Sequence, residues 1–386
     1  MKKRAVVLGC GMVGSTIVRD LAADDAFEVV AVDANPATLA KLKESTGVKT
    51  LTADLSSPQK IRGAVAGADV ALGALPSALG FAALETLIDA GVNCCDISFM
   101  EQDAQKLSLA AQEKRVTVVV DCGVAPGLSN MIVGHVDALL DETTSVEIYV
   151  GGLPKERRRP FEYKAPFAPS DVIEEYTRPS RFREQGIAVT RPALSEPEFM
   201  DFAGVGTLEA FNTDGLRSLI KNLNVKHMKE KTLRYPGHAH LMRVLRDTGF
   251  FEKIHIDING AKIRPIDLTS RLLFPLWAFE EDEEEFVLLR VVVEGRQGGT
   301  IVRHTYHLYD EYDMDTGNSA MARTTAFPAA IVGRMLLAGD FPEPGVFPPE
   351  RLITAKPDLL DTITEALAAR GVSIDSEISQ MTTSEG

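Results

Sequence analysis

The residues Val6-Val7-Leu8-Gly9-Cys10-Gly11-Met12-Val13-Gly14 constrain this chain more than any other stretch. An aliphatic run that stops at Gly9 reads as a buried strand, and the residues beyond Gly14 read as helix. The spacing between them is G-x-G-x-x-G. Gly9 permits a sharp turn, Gly11 lets backbone amides approach a pyrophosphate, and Gly14 lets the helix pack on the strand. The helix N-terminus adds N–H groups and partial positive charge where phosphates would rest. Met12 and Val13, in the same turn, are expected cofactor contacts. A turn of this kind commits the chain to strand, turn, helix and then a parallel neighbour.

The chain continues that way. Residues 4–10 read as the first strand, 15–23 as its crossover helix and 27–33 as the second strand. Asp33 closes it. An acid there can accept hydrogen bonds from both adenosine ribose hydroxyls and would repel a 2′-phosphate. No Lys or Arg follows before Lys41, so NAD is expected in preference to NADP. The competing reading of Asp33 is a loop acid capping the next helix. A helix over 39–45 and a strand over 48–54 lead to Asp54-Leu55, where adenine often rests; Asp54 could equally cap the helix from Pro58. Strand 70–75 ends in Leu75-Pro76, placed near the middle of the cofactor. A helix over 81–90 closes on Gly91 as C-cap, and strands follow over 93–97 and 116–121. Alternating strands and helices predict a Rossmann doubly wound parallel sheet. Asp121-Cys122-Gly123-Val124-Ala125-Pro126-Gly127 ends this domain, with Gly123 and Val124 as further cofactor contacts.

Beyond it the pattern changes. Strands are predicted over 145–151, 251–259, 286–294 and 300–310, the last two joined by a turn at 295–299. Residues 153–200 read as loops and short helices over a site, the acidic run 280–285 as a solvated loop, and the tail from Thr382 as frayed. This predicts a second domain of α+β class with a mostly antiparallel sheet. The expected boundaries are 1–124 for the dinucleotide domain and 125–327 for the second, with 328–386 returning to the first. The length of 386 residues suits two domains. A net charge of −14 argues against nucleic-acid or anionic-membrane partners. No apolar run approaches the length of a bilayer span, and Met1-Lys2-Lys3-Arg4 leads into the first strand without a signal-peptide core. Four cysteines at irregular spacing suggest neither a disulfide framework nor a zinc site, so a reducing cytoplasm is expected.

Six pieces then combine. They are the glycine turn, Asp121-Cys-Gly-Val-Ala-Pro-Gly127, Tyr149-Val-Gly-Gly-Leu-Pro154, Leu208-Glu-Ala-Phe211, Lys231-Thr-Leu-Arg-Tyr-Pro-Gly-His238 and Gly345-Val-Phe-Pro-Pro-Glu350. With them the chain resembles the saccharopine dehydrogenase-like oxidoreductases, and among these the L-lysine 6-dehydrogenase branch. The resemblance implies a Rossmann domain with an inserted catalytic α+β domain, NAD(P)-dependent chemistry on an amino acid, and a homo-oligomer, expected as a dimer. For the lysine branch it implies oxidative deamination of the ε-amine to a semialdehyde that cyclises. A saccharopine-type reductase and a non-catalytic NAD-binding protein are the alternatives. Saccharopine reductases resemble one another in carrying an arginine near the segment Asn212-Thr213-Asp214-Gly215. Asp214 has the opposite charge, which argues against a dicarboxylic substrate.

Oxidising a terminal amine needs a proton acceptor, a near-attack pose and access of water to the product. Asp96 and Asp121, at strand ends, and His238, after a Pro-Gly turn, are the candidate acceptors. A turn-capping role competes for each. His238-Ala239-His240 offers two imidazoles and no nearby third ligand, so no metal is expected. Arg234 could clamp an α-carboxylate bidentately, unless it serves an ion pair within the domain. Glu209, Thr213 and Asp214 are candidate pocket residues, with Glu209 alternatively a surface acid. Cys122 is a candidate pocket wall or a small buried hydrophobe.

Overall fold

A computed structural model describes residues 2–280, 283–341 and 343–381. Glu281, Asp282 and the tail from Thr382 lie outside the described residues. The chain divides into two compact units. The first is Met1–Ala138 with Ala322–Ser373; the second is Leu139–Met321 with the stretch from Ile374 on.

In the first unit, β1 (Lys3–Leu8), β2 (Phe27–Asp33), β3 (Lys49–Thr52), β4 (Val70–Gly73), β5 (Cys94–Asp96) and β6 (Thr117–Val119) form one sheet with the strand Gly345–Phe347. The order is Gly345–Phe347, β6, β5, β4, β1, β2, β3, and every pairing is parallel. Strands near the centre are buried on both faces, as Ala5 to Leu8 and Val70 to Leu72 are, because helices cover both sides. The strand order reverses between β1 and β4, the switch point where ligands of doubly wound sheets collect. The returning segment thus contributes a seventh strand and the helices Pro349–Ala355 and Leu359–Ala368. The chain's last strand, Ile374–Met381, does not return with it; it pairs with the second unit's sheet.

The second unit carries β7 (Glu142–Pro154), β8 (Ser180–Glu184), β9 (Ile187–Arg191), β10 (Glu198–Phe202), β11 (Gly206–Asn212), β12 (His227–Arg234), β13 (Ile256–Ile258), β14 (Ala261–Ile263), β15 (Glu285–Gln297) and β16 (Thr300–Glu311). The large sheet runs β10, β11, β12, β7, β15, β16 and Ile374–Met381, with β8 and β9 branching from β12. All its pairings are antiparallel except β12 with β7. Gly298 and Gly299, at φ +57° and +83°, turn β15 into β16. That is the doubly left-handed turn a tight hairpin needs. An aromatic core of Tyr163, Tyr176, Phe211 and Trp277 joins the helices Pro169–Thr177, His238–Asp247 and Pro265–Trp277.

Two segments depart from the sequence reading. Residues 251–259 are not one long strand; β13 and β14 form a separate hairpin around Asn259-Gly260, both at positive φ. The acidic run is not simply solvated. The Glu283 carboxylate, 7% exposed, accepts from Lys164 Nζ at 2.6 Å, and Glu285 is a buried residue of β15. A buried Lys164 ammonium would be costly without a counter-charge, and Glu283 supplies it.

Candidate functional site

At the carboxyl edge of the first unit's sheet, each glycine of the turn meets a different constraint. Gly9 has φ +89°, and a Cβ there would strike the Ala74 carbonyl; a Cβ on Gly14 would strike the Gly9 carbonyl. Gly11 is different: a Cβ built there meets nothing within 4 Å. It is the N-cap of helix Met12–Ala22 and offers no side-chain cap. Asp33 braces the turn from the end of β2. Its Oδ2 accepts the Cys10 amide at 2.6 Å and its Oδ1 the Asn35 amide at 2.7 Å. The next helix is capped by Asn35 instead, whose Oδ1 accepts from Ala37 N.

Asp54 does not cap the helix Pro58–Ala64. That N-cap is Ser57, while Asp54 Oδ1 takes the Ser56 amide at 2.9 Å and hydroxyl at 2.7 Å, which holds its pKa low. The Leu55 and Leu75 side chains are core residues beneath the edge, so any contact they make with a ligand runs through backbone. Pro76 is exposed and starts the helix Ser77–Asp89. Val13 is half-buried and Met12 exposed.

Further along the same edge, Asp96 ends β5 fully buried. Its Oδ1 accepts the Ser98 amide at 2.8 Å. It lies under Gly73, where any Cβ would meet its carboxylate. Burial pushes its pKa up to about 7, and the nearby Asp121 charge adds to the rise. Asp121 follows β6 at φ +52°, also buried. The Cys122 amide donates to the Asp96 carbonyl at 3.0 Å, tying the two strand ends together. Cys122 itself is wholly buried, its thiol in hydrogen-bond contact with that of Cys95. Gly123 and Val124 open the turn whose carbonyls accept the Leu128 and Ser129 amides. All four cysteines are free and buried.

In the second unit, the remaining candidates gather in one buried polar network. Arg234 ends β12 and is 2% exposed. Its guanidinium donates to Glu175 Oε2 at 2.9 Å, Tyr176 Oη at 3.3 Å, Tyr163 Oη at 3.4 Å and the Leu233 carbonyl at 2.9 Å. It also lies over the Tyr163 ring, 4.6 Å from the centroid. This matches an ion pair within the domain rather than a free carboxylate clamp. His238 opens helix His238–Asp247. Its Nδ1 faces the Phe161 carbonyl at 3.0 Å, so that nitrogen carries the proton, and Nε2 accepts from Tyr176 Oη at 2.9 Å. Burial, helped by the Arg234 charge, pushes its pKa down to about 3. A neutral imidazole with both nitrogens engaged is a link in the network, not a ready proton acceptor.

Glu209 is buried, not a surface acid. Its Oε2 accepts the Gly237 and Ala239 amides at 3.0 and 3.2 Å, capping the helix that His238 begins. The Thr213 hydroxyl donates to Glu230 Oε2 at 2.7 Å and contacts Thr232 Oγ1 at 2.8 Å. Asp214 is held bidentately by Arg181, at 2.8 Å to both Nε and Nη2. Its charge is therefore spent inside the unit, which removes the argument against a dicarboxylic substrate. The sequence reading missed Tyr163, Glu175, Tyr176 and Glu230. Glu230 is buried and its pKa is raised to about 8 by that burial, with Glu175 and Asp214 contributing repulsion. No helix among the described residues is long and apolar enough to cross a membrane.

Comparison with known proteins assigns both units. The family model described as saccharopine dehydrogenase NADP binding domain matches residues 5–119, and that described as saccharopine dehydrogenase C-terminal domain matches residues 123–372. The chain is 21% identical to the mitochondrial alpha-aminoadipic semialdehyde synthase of Rattus norvegicus, over 96% of this chain but only 47% of the rat protein. It thus spans about half the length of that relative. It is 22% identical to the carboxyaminopropylagmatine dehydrogenase of a Synechocystis species, over 90% of this chain and 92% of that one. The solved apo structure of saccharopine dehydrogenase (L-Glu forming) from Saccharomyces cerevisiae superposes with a TM-score of 0.79 at 19% identity, covering 98% of this chain and 100% of that one. With both domain models matched in order and the same fold in that structure, the chain belongs to the saccharopine dehydrogenase family of oxidoreductases and carries its NAD(P)-binding domain.

Proposed function

We propose that this chain is an NAD-dependent oxidoreductase that deaminates the side-chain amine of L-lysine, giving the 6-semialdehyde, which cyclises. The observation that carries the reading is Asp96, a carboxyl group at the ligand-collecting edge of the sheet with a pKa of about 7. A general base works best when its pKa lies near the operating pH. Asp96 ionised would take the proton of the substrate ammonium, leaving a neutral amine beside the carbon that loses hydride. Asp121, next to it, favours a cationic substrate by its charge.

The glycine turn fits a dinucleotide. Nothing in the chain's own packing calls for a glycine at position 11, so the missing side chain leaves room for a ligand instead. Gly11, Met12 and Val13 would hold the pyrophosphate, and Asp33 the adenosine ribose. The bound nicotinamide supplies the hydride acceptor. Each Asp33 oxygen accepts one backbone amide and retains a lone pair for a ribose hydroxyl, whereas a 2′-phosphate would face its charge. This favours NAD, although the matching domain model is named for NADP. Lysine as substrate rests on the combination of Gly123-Val-Ala-Pro-Gly127 with Arg234-Tyr-Pro-Gly-His238.

The test is reduced-nicotinamide absorbance with a panel of amino acids and either dinucleotide. Lysine with NAD should turn over, faster as pH rises through about 7. Failure of every amino acid to turn over sinks the reading. A saccharopine-type reaction is the second reading, because the Arg181–Asp214 pair leaves a dicarboxylic substrate admissible. Reduced-dinucleotide consumption that needs both glutamate and an aldehyde would select it.

A further inference from the structure

Strand β12 sets three polar side chains on one face, Glu230, Thr232 and Arg234, and all three are buried. The place of Glu230 is built around its carboxyl group. Gly215 lies directly against that group, and any Cβ there would strike it. Oε2 accepts the Gly215 amide at 2.9 Å and the Thr213 hydroxyl at 2.7 Å. Oε1 accepts no hydrogen bond from the described residues, and no Lys or Arg among them pairs with the group. Glu175, on helix Pro169–Thr177, is divided in the same way. Its Oε2 receives Arg234 Nη2 at 2.9 Å, and its Oε1 has no partner among the described residues. The Glu175 side chain is 21% exposed against 3% for Arg234, so the pair opens outward on the acid's side.

The two carboxyl groups are close enough to repel each other. The charged groups around them are Asp171, Arg178 and Arg234 about Glu175, and Asp214, held by Arg181, about Glu230. Three arginines thus face four acids, and the set is one cation short. A buried acid without its counter-charge costs stability. A divalent metal would ask for about six oxygen ligands, and no group of three His, Cys, Asp or Glu among the described residues is placed to hold one. Two open carboxyl oxygens suit an ammonium, a single charge with three donors. We infer that Glu175 and Glu230 form an ammonium site, which holds the α-ammonium of the amino-acid substrate while its side-chain amine reacts. The choice of ligand rests on lysine being that substrate. Asp96 serves the amine that is oxidised, and lysine's other cation is matched here. In the free chain, burial keeps Glu230 protonated up to pH about 8. The arriving ammonium displaces that proton and restores the missing charge.

Calorimetric titration of the full chain with NAD present tests this. L-norleucine has the α-ammonium and no side-chain amine; 6-aminohexanoate has the reverse. Norleucine should bind, and Glu230→Gln and Glu175→Gln should each weaken it at least about 10-fold. Neither should weaken 6-aminohexanoate by more than about 2-fold. Circular dichroism checks folding; should Glu175→Gln fail to fold, Glu230→Gln and the wild type still decide. On the wild type, norleucine near pH about 6.5 should release up to about one proton, read in buffers of different ionisation heat, and its affinity should rise towards pH about 8. Where lysine turns over, Glu230→Gln should raise KM at least about 10-fold and leave kcat nearly unchanged. Norleucine affinity untouched by either variant, no proton released, or an equal loss with 6-aminohexanoate would each overturn the site. Norleucine cannot react as lysine does. Its binding, weakened by Glu230→Gln, in a chain that oxidises no amino acid would therefore keep the ammonium site and sink the lysine reaction alone.

Discussion

At Gly9 the backbone takes φ +89° and the Ala74 carbonyl occupies the place of a Cβ, while at Gly11 that place is empty. The two positions should therefore separate folding from binding. Gly9→Ala meets both a strained conformation and a clash, and should cost at least about 2 kcal/mol in denaturant melts. Gly11→Ala should leave stability within about 0.5 kcal/mol. By calorimetric titration it should weaken dinucleotide binding at least about 10-fold; unchanged affinity would remove Gly11 from the site. Asp96 divides the same way between function and stability. Its pKa in the folded chain, about 7, lies above the ordinary 3.8 because burial favours the protonated form. The fold holds that proton more tightly than the unfolded chain does. Stability present at low pH is thus lost as pH climbs from about 4 to about 7. Asp96→Asn keeps an acceptor for the Ser98 amide and cannot ionise. Its melting temperature should exceed the wild type's near pH 8 and match it near pH 4, while turnover disappears. A variant less stable than wild type at the alkaline end would refute the assignment.

Helix His238–Asp247 shows what an element owes to a residue far away in sequence. It begins at a glycine N-cap with no side chain to offer, and the cap comes from Glu209 on β11. Glu209→Ala would leave the buried Ala239 amide without its side-chain acceptor and return the Gly237 amide to solvent, and should lower unfolding free energy by about 1–3 kcal/mol. Glu209→Gln keeps an oxygen and should lose about 1 kcal/mol; equal losses would deny the capping role. Such pairings explain which elements the sequence disclosed. The βα alternation of residues 1–121 was legible because each strand is a short buried run and each turn carries its own glycine, proline or acid. β15 and β16 were legible from their alternation and the Gly298-Gly299 turn. The β13–β14 hairpin was misread although its signal, Asn259-Gly260, was present; the isoleucines at alternate positions before it outweighed the turn. Glu283 reaches its partner Lys164 from 119 residues away. Tyr163, Glu175 and Tyr176 meet Arg234 and His238 only through tertiary packing. No local pattern announces those contacts, so Arg234 and His238 were found by motif, but their mutual engagement was not.

Across the whole molecule, buried groups with displaced pKa values set opposing demands on pH. His238 has a folded pKa of about 3 against an ordinary 6.5, so the unfolded chain binds its proton more readily. Its contribution is present above about 6.5 and is lost as pH falls towards 3. Glu230 and Glu285 behave in the reverse sense. Burial raises them to about 8 and about 7 from 4.5, and Asp96 joins them at about 7. Their contributions are present at low pH and are lost as pH rises through those values. Above about 6.5 the histidine's contribution approaches its full value, and the three acids dominate the change up to about 8. Each can remove up to about 1.4 kcal/mol per pH unit while it titrates differently in the two states. Stability should therefore fall over that interval while the proposed activity rises. Three of these four groups lie in the second unit, and so does Trp277, the chain's single tryptophan, fully buried. Its fluorescence reports that unit's unfolding directly. The Trp277 midpoint should decline from pH about 6.5 to about 8, and Glu230→Gln, which retains an oxygen for Thr213 and Gly215, should flatten the decline. A midpoint constant or rising over this range would mean that these carboxyl groups are ionised in the native chain, and the protonated interior assigned to the second unit would have to be given up.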